Sequence, residues 1–228
     1  MQLLHTKKIR VLLIVIAVVC LLFWYFYYTT GRFISAYSSY AALSLDDENV
    51  VNVPAQPDNP VRREMNQMLA EVLSGNLSPA GRLQKAQRGL DLAHQSEHIL
   101  DPIQDRGGDV DQAIDGMQKS ANTLSRFSSF GREEKIVALA KRRADIVSDI
   151  RALTIRANFE TGKIFQHVID DKGKLSDAYV TELNAEIPDV EAQFNRRSGL
   201  YAELGEVSDS IVKEYLSLSV FGLPIHGK

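Results

Sequence analysis

The sequence predicts an all-α protein: a single N-terminal transmembrane helix followed by an elongated extracytoplasmic helical bundle with a long antiparallel helical hairpin. Three observations predict it. Val11 to Tyr28 reads VLLIVIAVVCLLFWYFYY, eighteen residues with no charge, glycine or proline. Beyond residue 60, apolar residues recur at spacings of three and four within segments bounded by capping residues, glycine or proline. No segment shows the strict alternation of a half-buried strand.

The apolar stretch has the length a bilayer requires. At ~1.5 Å per residue, a helix of this length covers ~27 Å, against a hydrocarbon core of ~30 Å. Twelve of its residues are Leu, Ile, Val or Phe. At roughly −0.3 to −0.6 kcal/mol each, they favour insertion by about −4 to −7 kcal/mol. Trp24, Tyr25, Tyr27 and Tyr28 gather at its C-terminal end, where amphipathic rings prefer the headgroup level. Lys7, Lys8 and Arg10 precede the span, and Arg32 with Asp46, Asp47 and Glu48 follows it, so the positive-inside bias places the N-terminus in the cytoplasm. A cleaved signal peptide has a shorter apolar core and small residues at its cleavage site. The core here runs on into WYFYY, which favours an uncleaved anchor. Cys20 lacks the small residue that precedes a lipidated cysteine and reads as an apolar membrane residue.

The resulting organisation is a cytoplasmic tail over 1–8, a transmembrane signal anchor over 9–30, a juxtamembrane helix and proline-rich linker over 31–60, and an extracytoplasmic α-helical domain over 61–228. In the juxtamembrane part, Phe33, Tyr37 and Ala41 have helical spacing, and the linker is expected from Asp46 onward because Pro54, Pro57 and Pro60 prevent a continuous helix. Asp58 or Asn59 caps the next helix ahead of Pro60, and Gly75 closes it. Ser78 before Pro79 opens another, with Leu83, Ala86, Leu90 and Ala93, ending near Asp101-Pro102. Gly107-Gly108 is expected to break the chain and Asp109 to start a helix through Val110, Ile114, Met117 and Leu124. A long helix from Arg132 to about Asp170 follows, then a turn in which Gly173 suits a left-handed cap, then a last helix capped by Ser176. That helix carries a heptad seam: Leu183, Ile187, Val190, Phe194, Arg197, Tyr201, Leu204, Ser208, Ile211, Tyr215 and Leu218. Arg197 and Ser208 interrupt it and are expected to fix register, and Pro188 to kink it near Asn184. The short turn makes the two long helices antiparallel neighbours about 60 Å long. The tail, Leu218 to Ile225, is apolar and either packs on the helices or meets a partner.

Composition narrows the function. Outside the anchor's basic flank there are 23 basic and 29 acidic residues, which argues against nucleic acid as a partner. The only cysteine is Cys20, so the outer part has neither disulfides nor a thiolate metal site. Lys141-Arg142-Arg143 with Arg151 and Arg156 reads as a solvated basic helix face, or alternatively as a surface for an acidic partner.

The motif content is thin. His94-Gln95-Ser96-Glu97-His98 matches H-x-x-E-H, the zinc motif of inverzincin peptidases, and a helix would put His94 and His98 on one face, His94 within the stripe of Leu83 and Leu90. No third ligand is identifiable, so His94, Glu97 and His98 are only weak metal candidates. The acidic stretches at Asp105–Gly116 and Asp170–Ser176 miss the glycine or the ligand positions of a calcium loop, and Thr161-Gly162-Lys163 misses the rest of a P-loop. No cofactor and no catalytic residue is nominated. The sequence-level expectation is therefore a single-pass interaction or assembly component of a cell envelope, in a bacterial plasma membrane. Its partners would be the bilayer and a protein or a second copy engaged through the long helices. The alternative is a ligand-sensing helical bundle, and the remote one a zinc-dependent hydrolase.

Overall fold

The structure is a computed structural model that describes residues 2–52, 59–74, 76–98, 100–125, 131–220 and 223–224. These residues form α1 (Gln2–Asn52), α2 (Pro60–Leu73), α3 (Pro79–His98), α4 (Asp101–Leu124), α5 (Arg132–Asp170) and α6 (Asp177–Leu216). A ribbon of two-residue strands follows, β1 (Ser219–Val220) antiparallel to β2 (Leu223–Pro224), with Val220 opposite Leu223. Among the described residues the regular structure is all helical apart from this ribbon, which the sequence pattern does not reveal because each strand is too short to show a period.

Helix α1 is one uninterrupted rod of 51 residues. It is long and apolar enough near its N-terminus to cross a membrane. From Val11 to Tyr28 its side chains are exposed except Phe26, the distribution expected of a surface meant for lipid rather than for a protein core. The same helix then changes character. Phe26, Thr30, Phe33, Tyr37, Tyr40, Ser44 and Asp47 are all buried, at spacings of four and three. This seam packs on α4, closely enough at Gly116 that an added Cβ would stand 3.3 Å from the Ala36 Cβ. The sequence places the start of a proline linker at Asp46. The helix instead runs on to Asn52, because Ser44, Asp47 and Glu48 are engaged by α4 and α5. Pro54 and Pro57 lie outside the described residues.

Helix α4 also departs from expectation. It starts at Asp101, with Pro102 in its first turn, and passes through Gly107-Gly108 without a break. A glycine in a helix interior costs about 1 kcal/mol relative to alanine. The buried stripe Ile103, Val110, Ile114, Met117, Ala121 and Leu124 outweighs that cost, since burying each large side chain contributes ~1.5–3 kcal/mol. Neither glycine is needed for close approach, as a Cβ at either position meets nothing within 4 Å. Asp105–Gly116 is thus helix, which removes any calcium-loop reading.

Helix α5 is the element that all others share. Its first half joins α1, α4 and the C-terminal half of α6 in one core, with Ile136, Ile146 and Ile150 at its centre. Its second half joins α2 and α3 in another, with Phe165 and Val168 against Leu92, Ala93 and Val72. Gly89 of α3 is required there, because a Cβ would lie 2.3 Å from the Phe165 ring. Helices α5 and α6 run antiparallel: Lys135 pairs with Glu214, Arg142 with Glu203, and Asp149 with Arg196. The turn between them behaves as its sequence requires. Gly173 has φ +79°, its N–H donates to the Val168 carbonyl at 2.8 Å, and a Cβ there would collide with the Pro79 carbonyl. Caps at Asn59, Ser78 and Ser176 each accept a first-turn N–H, from Arg62, Gly81 and Tyr179.

One buried cation ties three helices together. Arg143 is only 5% exposed. It donates to the Ser44 carbonyl at 2.8 Å, to Glu48 Oε2 at 2.9 Å and to Ser208 Oγ at 3.1 Å. It therefore does not belong to a solvated basic face. Of that group Lys141, Arg142 and Arg156 are exposed, Arg142 while pairing with Glu203, and the half-buried Arg151 donates to Gln104 and to the Leu100 carbonyl.

The two helix glycines predict opposite outcomes in thermal melts followed by circular dichroism. Gly107→Ala raises stability by about 0.5–1 kcal/mol. Gly89→Ala overpacks the Phe165 site and lowers it by roughly 1–3 kcal/mol. The acid limb is also predictable. Hydrogen bonds from Arg88, Lys85 and Lys135 hold Glu64, Glu71 and Glu214 below the ordinary carboxylate pKa. A carboxyl whose folded pKa is lowered stabilises the fold above its unfolded pKa, ~4.3 for Glu, and that contribution is lost as pH falls through the folded value. The thermal midpoint should therefore be flat near neutrality and decline below about pH 4. In Glu71→Gln/Glu214→Gln the decline should be shallower.

Candidate functional site

Half of the α6 seam is used as a seam and half is not. Leu200, Leu204, Val207 and Ile211 are buried against α5. Ser208 takes up the Arg143 hydrogen bond, and Tyr215 stacks on Tyr37 of α1 at 3.8 Å between ring centroids. N-terminal to Leu200, from 180 to 199, no α6 residue is buried. Ile187, Val190 and Phe194 are 47%, 57% and 54% exposed. Yet the segment is held at both ends. Tyr179 stacks on His167 of α5 at 3.5 Å, and Leu200 re-enters the core. It therefore forms a helical arch, with Pro188 inside it.

The space under the arch is a groove of about 700 Å³ between α2, α5 and α6. Its α6 wall is Leu183, Ile187, Val190 and Phe194, and its opposite wall includes Leu153, Ile164, Leu69 and Leu73. Polar side chains line its floor, among them Asn158, whose amide donates to Ser96 Oγ at 2.9 Å. The groove lies well out along the chain's long axis. Counting ~1.5 Å per residue from Tyr28 to Ser44 along α1, and from Arg143 to Asn158 along α5, puts it roughly 45 Å beyond Tyr28.

The ends of the groove differ in charge. Toward the α5–α6 turn Glu182 and Glu186 stand with Lys163 and His167, and burial, followed by the two carboxylates, raises the Tyr179 pKa. At the other end a second concavity of about 480 Å³ is lined by Arg62, Arg63, Asn66, Phe194, Arg197, Ser198 and Tyr201. Burial lowers the Arg197 pKa, and the Arg62 charge lowers it further. Both guanidinium groups also pull down the Tyr201 hydroxyl, which burial pushes up more strongly. The Arg197 guanidinium lies 5.7 Å from the Phe194 ring centroid, in the range of a cation–π contact.

The H-x-x-E-H stretch falls elsewhere, on the last turns of α3. His94 is exposed rather than in the apolar stripe, because α3 buries Ala86, Gly89, Leu92 and Ala93 and so turns His94 outward. His98 is exposed, with Nδ1 2.8 Å from Asp101 Oδ2. The Glu97 side chain is not among those described. Among the described residues, no three His, Cys, Asp or Glu side chains converge on one point that could hold a metal. The groove itself was only half visible in sequence: Leu183, Ile187, Val190, Phe194 and Arg197 belong to the recognised seam, while Arg62, Arg63 and Asn158 carry no local signal.

No protein-family model, no curated protein and no solved structure matches the chain.

The division of α6 is testable by substitution. Leu204→Ala should cost ~2–5 kcal/mol, as buried leucines do. Val190→Ser and Phe194→Ser should stay within about 0.5 kcal/mol of the parent in thermal melts, as surface changes do. A large loss for either serine variant would mean that the arch is packed in solution.

Proposed function

We propose that the chain is a single-pass, membrane-anchored interaction or assembly component of a cell envelope, with its N-terminus in the cytoplasm. In this reading the helices beyond residue 30 form an elongated extracytoplasmic bundle, and its working surface is the arch of α6. One observation carries it: an amphipathic half-helix, fixed at both ends, keeps its apolar stripe open over a groove while the other half of the same helix buries its own. Exposed contiguous apolar surface on a well-packed protein marks a binding site far more often than an accident of packing. The mount supports the same reading, since α1 carries the apolar stretch and the packed seam on one continuous rod.

A second reading is that the groove takes a small molecule. Its volume of about 700 Å³ favours this, since small-molecule pockets run to roughly 300–1,000 Å³.

The test has two parts. With Cys20→Ser as background, Ser198→Cys should react with an impermeant maleimide on intact cells, and Thr6→Cys only after lysis. Photo-reactive residues at Ile187 and Phe194 should then give a discrete crosslinked product in the native membrane, and outward-facing Glu206 should give none. Labelling of Thr6→Cys on intact cells would reverse the topology, and equal crosslinking from all three positions would remove the arch as the working surface.

A further inference from the structure

We infer that the end of the bundle nearest the apolar stretch of α1 is itself a lipid-contacting surface. It sits in the outer headgroup layer of the bilayer that α1 spans, with Arg32 and Lys119 at the level of the phosphates. This rests on the membrane-anchored reading above and goes beyond it, since an anchor alone would let the bundle stand clear of the membrane.

The contacts between α1 and α4 fix the height of each residue. Gly116 lies against Ala36, and Arg106 pairs with Asp46 and Asp47, so the two helices run antiparallel in one register. Each step along α4 beyond Gly116 is then a step down α1. Lys119 stands level with Phe33, Asn122 with Thr30 and Leu124 with Tyr28. Helix α6 ends close to the same level, since Tyr215 in its last turn stacks on Tyr37.

The apolar stretch is too short to keep this end out of the membrane. Val11 to Tyr25 are all exposed, but Phe26 is 6% exposed and belongs to the core of the bundle. The stretch from Val11 to Tyr25 covers roughly 22 Å, against a hydrocarbon core of ~30 Å. Counted from Arg10, the last charge before the stretch, ~30 Å of helix reaches Thr30. A further ~5–7 Å of headgroups reaches Phe33 to Ser35. A tilt of ~20° moves these levels outward by only one or two residues.

The exposed surface changes chemistry at the same levels. Asp111, Asp115, Lys119 and Asn122 share one exposed face of α4 and read, toward the membrane, acid, acid, base, amide. Lys119 and, on α1, Arg32 are exposed where phosphate oxygens can accept from them. No aspartate or glutamate occurs between Lys119 and Arg132 or after Glu214, in a chain with 29 acidic residues. Carboxylates are expensive at hydrocarbon depth, whereas a bundle end surrounded by water has no reason to exclude them. Two hydroxyls at this depth are satisfied without water. Thr29 donates to the Tyr25 carbonyl at 2.8 Å and Thr123 to the Lys119 carbonyl at 3.3 Å.

The experiment uses full-length Cys20→Ser protein in nanodiscs of phosphatidylcholine. Nitroxide labels are placed singly at Val18→Cys, Asn122→Cys and Asp111→Cys, all exposed positions. Depth is read by electron paramagnetic resonance from relative accessibility to oxygen and to a water-soluble nickel chelate. Val18 is expected within the hydrocarbon and Asn122 at its outer edge. Asp111 is expected in water, ~16 Å further out than Asn122. As a second measurement, a photo-reactive residue at position 122 should give phospholipid adducts by mass spectrometry, and one at position 111 should give none.

If Asn122 is as open to the chelate as Asp111 while Val18 reads as hydrocarbon, the bundle stands clear of the membrane. That result overturns the lipid-contacting end and leaves the anchored reading standing. Absence of phospholipid adducts at position 122, with Val18 in hydrocarbon, overturns it equally. A label at Val18 that the chelate reaches removes the anchored reading itself, and this inference with it.

Discussion

The Arg143 guanidinium is the contact on which the arrangement of the long helices depends. A cation this deeply buried costs several kcal/mol in lost hydration, so it persists only if its donors are well used. Here they reach two other helices, the Ser44 carbonyl and Glu48 on α1 and Ser208 on α6. Apolar packing between α1 and its neighbours resists separation but tolerates sliding. A guanidinium with three fixed acceptors does not tolerate it, since a shift of one residue along α1 moves Ser44 by ~1.5 Å and turns it by ~100°. Arg106, which reaches Asp46 and Asp47 from α4, adds a second lock on the same turn of α1. The apolar rod and the outer helices are thereby one body with a defined register.

That body has two cores and one shared helix, and the groove is a result of the division. Near Arg143, α5 is surrounded by α1, α4 and α6. Further out it is covered by α2 and α3, with Phe165 seated on Gly89. The N-terminal half of α6 meets a flank of α5 whose core-facing side is already taken. Its far end is tied down by the Gly173 turn, whose carbonyl accepts from Arg82 of α3, and by the Tyr179–His167 stack. Its near end is tied by Leu200. Between those points it has an apolar stripe that none of the described residues buries.

Much of this was legible from residue order, and the misses have physical causes. The bounds of α5, the glycine turn at 173 and the caps at Asn59, Ser78 and Ser176 are local effects, so local chemistry predicts them. The seam of α1 is harder to see because Thr30, Ser44 and Asp47 occupy heptad positions that usually hold apolar residues. Their burial depends on partners 60 to 100 residues away. The Gly107-Gly108 pair misleads for the converse reason: a modest local penalty is overridden by a stripe that is buried only because α1 lies alongside. Arg143 reads as surface beside Lys141 and Arg142, and only the register of three helices turns it inward. The basin of Arg62, Arg63 and Arg197 joins residues more than 130 positions apart, a distance over which spacing carries no information.

The continuity of α1 has a mechanical consequence. A rod of 51 residues without a proline, a glycine-induced break or a linker between its lipid-compatible stretch and its packed stretch acts as a lever. Membrane helices tilt by ~20° on average and change tilt with bilayer thickness. For a groove roughly 45 Å beyond the pivot, a change of ~10° displaces it sideways by about 8 Å. In the membrane-anchored reading proposed above, the orientation of the far end is geared to the thickness and strain of the bilayer around α1, and a change in the membrane arrives at the groove as displacement rather than as chemistry.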